Sequence, residues 1–301
     1  MLKKILSIGI ILFFFVACSK PSSINQVFTH DLGKKEGIYS VKQARSIDMK
    51  ELVKDLEYYP VIFVGDYHDT KKTHKFFENL LKELDKEGYK IHLANEWFSP
   101  KHNKLLEEFI SGQINGSELK QRRKWDEFTN FKWEYVEPLY EAVKKNNGKL
   151  YGMNISKEDR KKIRLKKFDK MSKSEKEFYD SLDLNVSAHK QLVMPFLEHC
   201  NKMPQKSDEP CEERMYRVQV AWDSYMAKNL ADISKNNIKT KKDKVVVFAG
   251  AMHIEQNLGI PLRFSRLSNL PFTTISNEEI DEESDLVKVN NSKSDFVYIY
   301  K

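Results

Sequence analysis

Two kinds of apolar pattern alternate along the chain. In the first, apolar residues run without interruption and stop at a glycine: residues 61–64 before Gly65, and 245–249 before Gly250. A short apolar run that turns polar at a glycine predicts a buried strand opening onto a loop. Residues 89–96 and 149–155 predict two further core strands. Short strands are expected at 38–41, on an edge, and near 272–275 and 296–300. In the second pattern, apolar positions recur every three or four residues. Residues 70–87 place Phe76, Phe77, Leu80, Leu81 and Leu84 at helical spacing, and Gly88 follows as a stop. Residues 48–56 start with Asp48 and carry Glu51 three positions on, the signature of a capped helix. Further helices are expected over 100–110, 117–128, 135–145 and 214–229, and a Gly-Ile-Pro turn at 259–261.

Strands alternating with helices predict an α/β fold: a mostly parallel sheet flanked by helices. Residues 156–181 break the rhythm. They are rich in lysine, with isolated Ile163, Leu165, Phe168 and Met171. They read as helices of a smaller helical insertion over about 156–210, whose charges form either a solvated face or a basic patch facing carboxylates or phospholipid headgroups. No internal repeat is visible.

The two glycine-ended strands carry a matched feature. Gly65 is followed by His68 and Gly250 by His253, each as Gly-x-x-His. In open α/β sheets ligands bind outside the carboxyl ends of the strands, so two such strands deliver two imidazoles to one edge of one sheet. Glu96 ends the strand at 89–96 and completes a His/His/Glu set, with Asp66 behind it. Such a set is able to hold a divalent metal, lower the pKa of its water and act as a hydrolase. The competing reading has these histidines as strand-end caps. His74 either lines the same mouth or caps its helix. Tyr67 stands between two acids. Trp125, Trp133, Tyr135, Pro138 and Tyr140 form either core or a ligand wall, since a large flat ligand needs aromatic and methionine surface. His189, Met194, Phe196 and His199 lie in the insertion. There is no nucleophile elbow, phosphate loop, dinucleotide fingerprint or CxxCH haem-attachment site.

Charge and the N-terminus narrow the classes. The net charge of +7 over 301 residues is scattered, without the concentrated stripe and motif of a nucleic-acid binder. Lys3 and Lys4 precede an apolar run over 5–17 that ends at Cys18. This predicts a signal peptide over 1–17. Phe15-Val16-Ala17-Cys18 resembles a bacterial lipobox, departing from it at Phe15. Cys18 is therefore the expected lipidation site, followed by a tether over 18–36 and one domain over 37–301. Acyl burial at about 0.8 kcal/mol per CH₂ makes a multi-chain anchor stable. Ser19 after the cysteine is similar to outer-membrane lipoproteins, so the expected place is the cell envelope, on the outer membrane facing the periplasm. Beyond a signal peptide the surroundings oxidise thiols, and Cys200 and Cys211 are then expected to pair.

Five stretches carry a resemblance to a known family: VIFVGDYHDTKKTH from Val61, NEWFSPKHNKLLEEFISG from Asn95, YVEPLYEAVKKNNGKLYGMNI from Tyr135, VQVAWDSYMAKNLAD from Val218 and VVVFAGAMHIEQNLGIP from Val245. In order and spacing, and with the lipobox, the chain resembles the ChaN-like haem-binding lipoproteins, within the group that includes the TIKI metalloproteases and erythromycin esterases. The family usually has glutamate where Asp66 stands, and the shorter side chain reaches less far.

The resemblance implies haem as ligand, a pocket near the junction with the helical subdomain, a part in iron uptake or storage, an outer-membrane haem transporter or other uptake component as partner, and dimerisation around haem. The pocket would draw on Asp66, Tyr67, His68, His74, Glu96, Tyr135, Met153 and His253. The candidates for the iron ligand are Tyr67, Tyr135, His189 and His199, phenolate favouring ferric haem.

Overall fold

The computed structural model describes residues 27–31, 36–67, 70–198, 200, 209–280, 286–290 and 293–301. The predicted signal peptide, Cys18, His68 and His199 lie outside the described residues. Ten strands are described: β1 Val27–Asp31, β2 Gly37–Ser40, β3 Arg45–Ile47, β4 Val61–Asp66, β5 Lys90–Asn95, β6 Lys149–Gly152, β7 Asp243–Gly250, β8 Phe272–Glu279, β9 Leu286–Asn290 and β10 Phe296–Tyr300. The helices are α1 Met49–Asp55, α2 Lys71–Lys86, α3 Asn103–Ile110, α4 Gly116–Arg123, α5 Trp125–Phe128, α6 Trp133–Lys145, α7 Lys157–Arg164, α8 Lys173–Asp180, α9 Ser187–Leu197, α10 Cys211–Asn237 and α11 Ile260–Ser265.

Eight strands form one sheet in the order β3-β2-β10-β8-β4-β7-β5-β6. Every pairing from β10 to β6 is parallel, and only β2 and β3 join antiparallel. The two glycine-ended strands are neighbours, with Val61 opposite Val245 and Asp66 opposite Gly250. All residues of β4 and β7 are buried, as expected where helices cover both faces of a parallel sheet. Alternate side chains serve two cores. Ile62, Val64, Val246 and Phe248 pack with α2 and α6 through Phe77, Leu80 and Val136. Val61, Phe63, Val245 and Val247 pack with α10 and α11 through Met226, Leu230 and Phe264.

Several local expectations shift. The strand expected on an edge at 38–41 is β2, which lies inside the sheet; β3 covers it and takes the edge. The turn expected at 259–261 instead starts α11, because Pro261 near the first helical position has the φ that a helix start needs. The helix expected over 117–128 breaks at Lys124, whose φ is 55°. The stretch read as a tether contains β1, paired antiparallel with β9 in a two-stranded sheet. The insertion folds as α7, α8 and α9. Its end is tied to α10 by a Cys200–Cys211 disulfide with Cα atoms 5.7 Å apart.

Candidate functional site

At the carboxyl ends of β4, β5 and β7 the chain opens a cleft of about 610 Å³. Each of these strands delivers a chemical group to it: β4 ends in Asp66 and Tyr67, β5 runs into Glu96, and β7 into Gly250 and His253. Leu192 and Phe196 of α9, with Trp222 of α10, Met252 and Phe128, supply apolar walls. The cleft therefore lies between the sheet edge and the insertion.

His253 is held between two carboxylates and an indole. Its Nδ1 lies 2.5 Å from Asp223 Oδ1 and its Nε2 lies 3.6 Å from Glu96 Oε2. Trp222 meets its ring edge-on at 5.3 Å. Asp223 is fully buried, and its second oxygen lies 3.1 Å from His189 Nε2. On its other side His189 Nδ1 is 3.3 Å from Arg263 and 3.4 Å from the Tyr216 hydroxyl. A guanidinium only donates, so His189 Nδ1 accepts and Nε2 carries the proton toward Asp223. Burial alone pushes the Asp223 carboxyl up; the charge on His253, hydrogen bonds from both histidines and the Arg263 charge outweigh it and hold it at about 2. The ionised Asp223 carboxylate accepts from His253 Nδ1, which Gln219 also meets at 2.9 Å, so Nε2 is the nitrogen turned toward Glu96.

A second polar group sits at the mouth. The Tyr67 hydroxyl donates to Glu255 Oε1 at 2.8 Å and lies 3.2 Å from Lys293 Nζ. Burial, then the Glu255 carboxylate, pushes the phenol up to about 12. Burial works against the Lys293 charge, yet Glu255 and Glu278 outweigh it and hold the ammonium above its ordinary range.

Asp66, Tyr67, Glu96 and His253 line the cleft together. The other expected pocket residues are placed elsewhere. His74 is buried, with Nδ1 3.1 Å from the Thr70 carbonyl and Nε2 3.6 Å from Asp66; it links the first helical turn to the strand end rather than facing the cleft. Asp66 thus stands with His74 at the strand end. Met153 is fully buried with Met226 and Ala94 in the α10-side core. Tyr135 packs on His74 at 5.7 Å and under Lys132. His189 is sealed beneath the cleft by Asp223 and Arg263, so no ligand reaches it. Trp125, Trp133 and Tyr140 are core. Among the described residues no three His, Cys, Asp or Glu side chains stand together as a metal site.

Sequence reasoning missed Gln219, Asp223 and Arg263. A signal was present: Gln219, Asp223, Met226 and Leu230 fall on one helical stripe of α10, and the stripe is otherwise apolar. An acid on such a stripe is buried and must have partners.

The model of a family described as haem-binding uptake, Tiki superfamily, ChaN matches residues 52–264. The fold is similar to that of ChaN of Campylobacter jejuni, described for its cofacial haem binding, with a TM-score of 0.67, 20% identity, and 89% of this chain and 98% of that chain covered. Lesser likeness is found to a type III effector, HopBA1 (TM-score 0.49, 13% identity, 90% and 98% covered), and to the erythromycin esterase EreC in its open conformation (0.45, 10%, 84% and 83%). No curated relative matches the sequence. Since the family model spans well over half of the chain and the α/β architecture agrees, the chain belongs to the ChaN family of haem-binding uptake proteins in the Tiki superfamily.

Proposed function

We propose that this protein binds haem in the cleft and serves haem or iron uptake or storage as a lipid-anchored protein of the bacterial cell envelope. The observation that carries the reading is the wall of the cleft. Phe196 is 65% exposed, Tyr67 42% and Phe128 37%, and all three face the same opening. Exposed apolar groups gathered at one opening mark a binding site, and about 610 Å³ falls within the ~300–1,000 Å³ range of ligand pockets. A flat aromatic ligand fits such a wall. Among the described candidates for the iron ligand only Tyr67 lines the cleft, so its phenolate is the proposed ligand; haem, when bound, would supply a ferric iron for it to hold. His68, outside the described residues, adjoins it in sequence.

The cleft is open on one side, and the neighbour from Campylobacter jejuni is described for cofacial haem. This supports a homodimer that closes two haems face to face. Cys18 would hold the protein at the outer membrane, where a haem transporter delivers the ligand. A visible-spectrum titration of the chain from Ser19 onward with ferric haem, paired with sedimentation equilibrium, tests this. A saturable Soret shift with a monomer-to-dimer change is expected; a linear, non-saturating spectrum that matches free haem contradicts it.

One observation favours a second reading. Asp223, His253 and Glu96 form an oriented acid–base series opening on the cleft, which suits a hydrolase, with a divalent metal if His68 joins them. Zn²⁺ or Mn²⁺ binding that depends on His253, with no haem titration, would move the assignment there.

A further inference from the structure

The cleft has a side chamber that haem planarity alone does not explain. An alcove of about 110 Å³ opens off it and shares Trp97, Phe128, Asn154, Arg160 and Glu96 with it. The remaining walls bring Arg123, His102, Lys101 and Lys157 together. Four permanent cations and a histidine thus meet beside one carboxylate, and that carboxylate, Glu96, faces His253 at 3.6 Å.

Arg160 is the central group. It stands on α7, the first helix of the insertion, with its guanidinium 4.1 Å from the Trp222 ring. Its Nε is buried and has no hydrogen-bond partner among the described residues. Burial lowers its affinity for the proton, with Glu96 partly opposing that effect. Arg123 is held in place by donating Nε and Nη2 to the Trp97 carbonyl at 3.1 and 2.8 Å, and its guanidinium lies 3.7 Å from the Phe128 ring. Burial pulls Arg123 down to about 10. Burial, then the Arg123 and Lys101 charges, pulls His102 down to about 4. A desolvated cation is costly without a counter-charge, and a guanidinium matches a carboxylate with paired donors. The alcove is positive, and it adjoins an apolar slot.

We infer that the alcove is the carboxylate subsite of the cleft: Arg160, with Lys157 and Arg123 beside it, takes the propionate arms of a porphyrin whose flat body lies against Trp222, Phe128 and Phe196. This rests on the haem reading. It also assigns a role to the lysine-rich insertion, whose α7 contributes Arg160 and Lys157.

The test compares ferric haem with its dimethyl ester, which keeps the ring and iron and lacks the carboxylates. Wild type, Arg160→Gln, Lys157→Gln and the exposed control Lys161→Gln are titrated with both. Charge-assisted hydrogen bonds of this kind change affinity by about tenfold to a hundredfold. Wild type is expected to prefer haem over the ester by about that factor. Arg160→Gln should erase the preference while leaving ester affinity unchanged, Lys157→Gln should reduce it, and Lys161→Gln should leave it intact. Equal wild-type affinity for the two ligands overturns the subsite and leaves the haem reading standing. So does an Arg160→Gln loss shared equally by both ligands. If Arg160→Gln does not fold, an unchanged preference in Lys157→Gln overturns it. Binding of neither porphyrin by wild type overturns the haem reading itself, and the subsite with it.

Discussion

Asp223 Oδ1 lies 2.5 Å from His253 Nδ1, and this contact joins the middle of α10 to the end of β7. Removing one partner of a buried charged pair leaves the other desolvated and unpaired, at about 3–5 kcal/mol. Asp223→Ala is therefore expected to lower unfolding stability by about that amount in urea denaturation. A loss below about 1 kcal/mol would show that the pair contributes little.

The same carboxylate sets an acid limit. The Asp223 pKa is lowered on folding to about 2, so its stabilisation is present above the unfolded carboxylate value of about 3.9 and is lost as pH falls from there toward 2. The shift corresponds to about 2–3 kcal/mol. Denaturation midpoints measured between pH 6 and pH 2 should fall mostly below pH 4, and the Asp223→Asn variant should show a shallower fall.

Gly259 is a point of close approach. A methyl group there would overlap the backbone carbonyl of His253, which cannot rotate aside. Gly259→Ala is expected to cost about 1–3 kcal/mol and to displace His253, read as a lower melting temperature and a moved His253 imidazole resonance. An unmoved resonance would place the strain elsewhere.

Much of this was legible in the chain itself. That β4 and β7 are parallel strands ending at one edge of one sheet follows from two apolar runs of the same form, and the α1 capping box of Asp48 and Glu51 is read directly from residue types; that the two strands are neighbours is seen only in the fold. The full length of β8 was not legible, because Thr273, Thr274, Ser276 and Asn277 are buried without an apolar signal. Partners distant in sequence engage them: Asp295 accepts from both threonines at 3.0 and 3.1 Å, Ser276 meets Ser294 at 2.6 Å, and the Asn277 amide donates to the Gly65 carbonyl. At the site, Glu96 and His253 were readable from strand ends. Asp223 was marked only as an acid on an otherwise apolar stripe of α10, without its partners, and Arg160 was one charge among many in a basic segment. Their roles come from neighbours that only the fold supplies.

Glu255 restrains the Tyr67 phenol. Burial and the Glu255 carboxylate both hold the proton on, with the phenol at about 12. Removing that charge in Glu255→Gln should lower the phenol pKa and raise affinity for ferric haem near neutral pH. A titration of haem against the variant checks the direction, and an unchanged or weaker affinity would argue against phenolate ligation.

The Cys200–Cys211 bridge spans a sequence separation of 11. Closing a loop of this size stabilises by about 3 kcal/mol in the chain-entropy account. Reduction by dithiothreitol is expected to lower stability by about that much, measured by urea unfolding with and without reductant.

The central claim is that the cleft binds haem through Tyr67. Its most direct test is the visible spectrum of ferric haem titrated into the wild type and into Tyr67→Phe. The wild type should saturate at a fixed ratio with a shifted Soret band and phenolate-to-iron charge-transfer bands, and Tyr67→Phe should lose those bands and bind more weakly. Identical saturable spectra from both proteins would remove Tyr67 as ligand, and the absence of saturation in the wild type would contradict haem binding altogether.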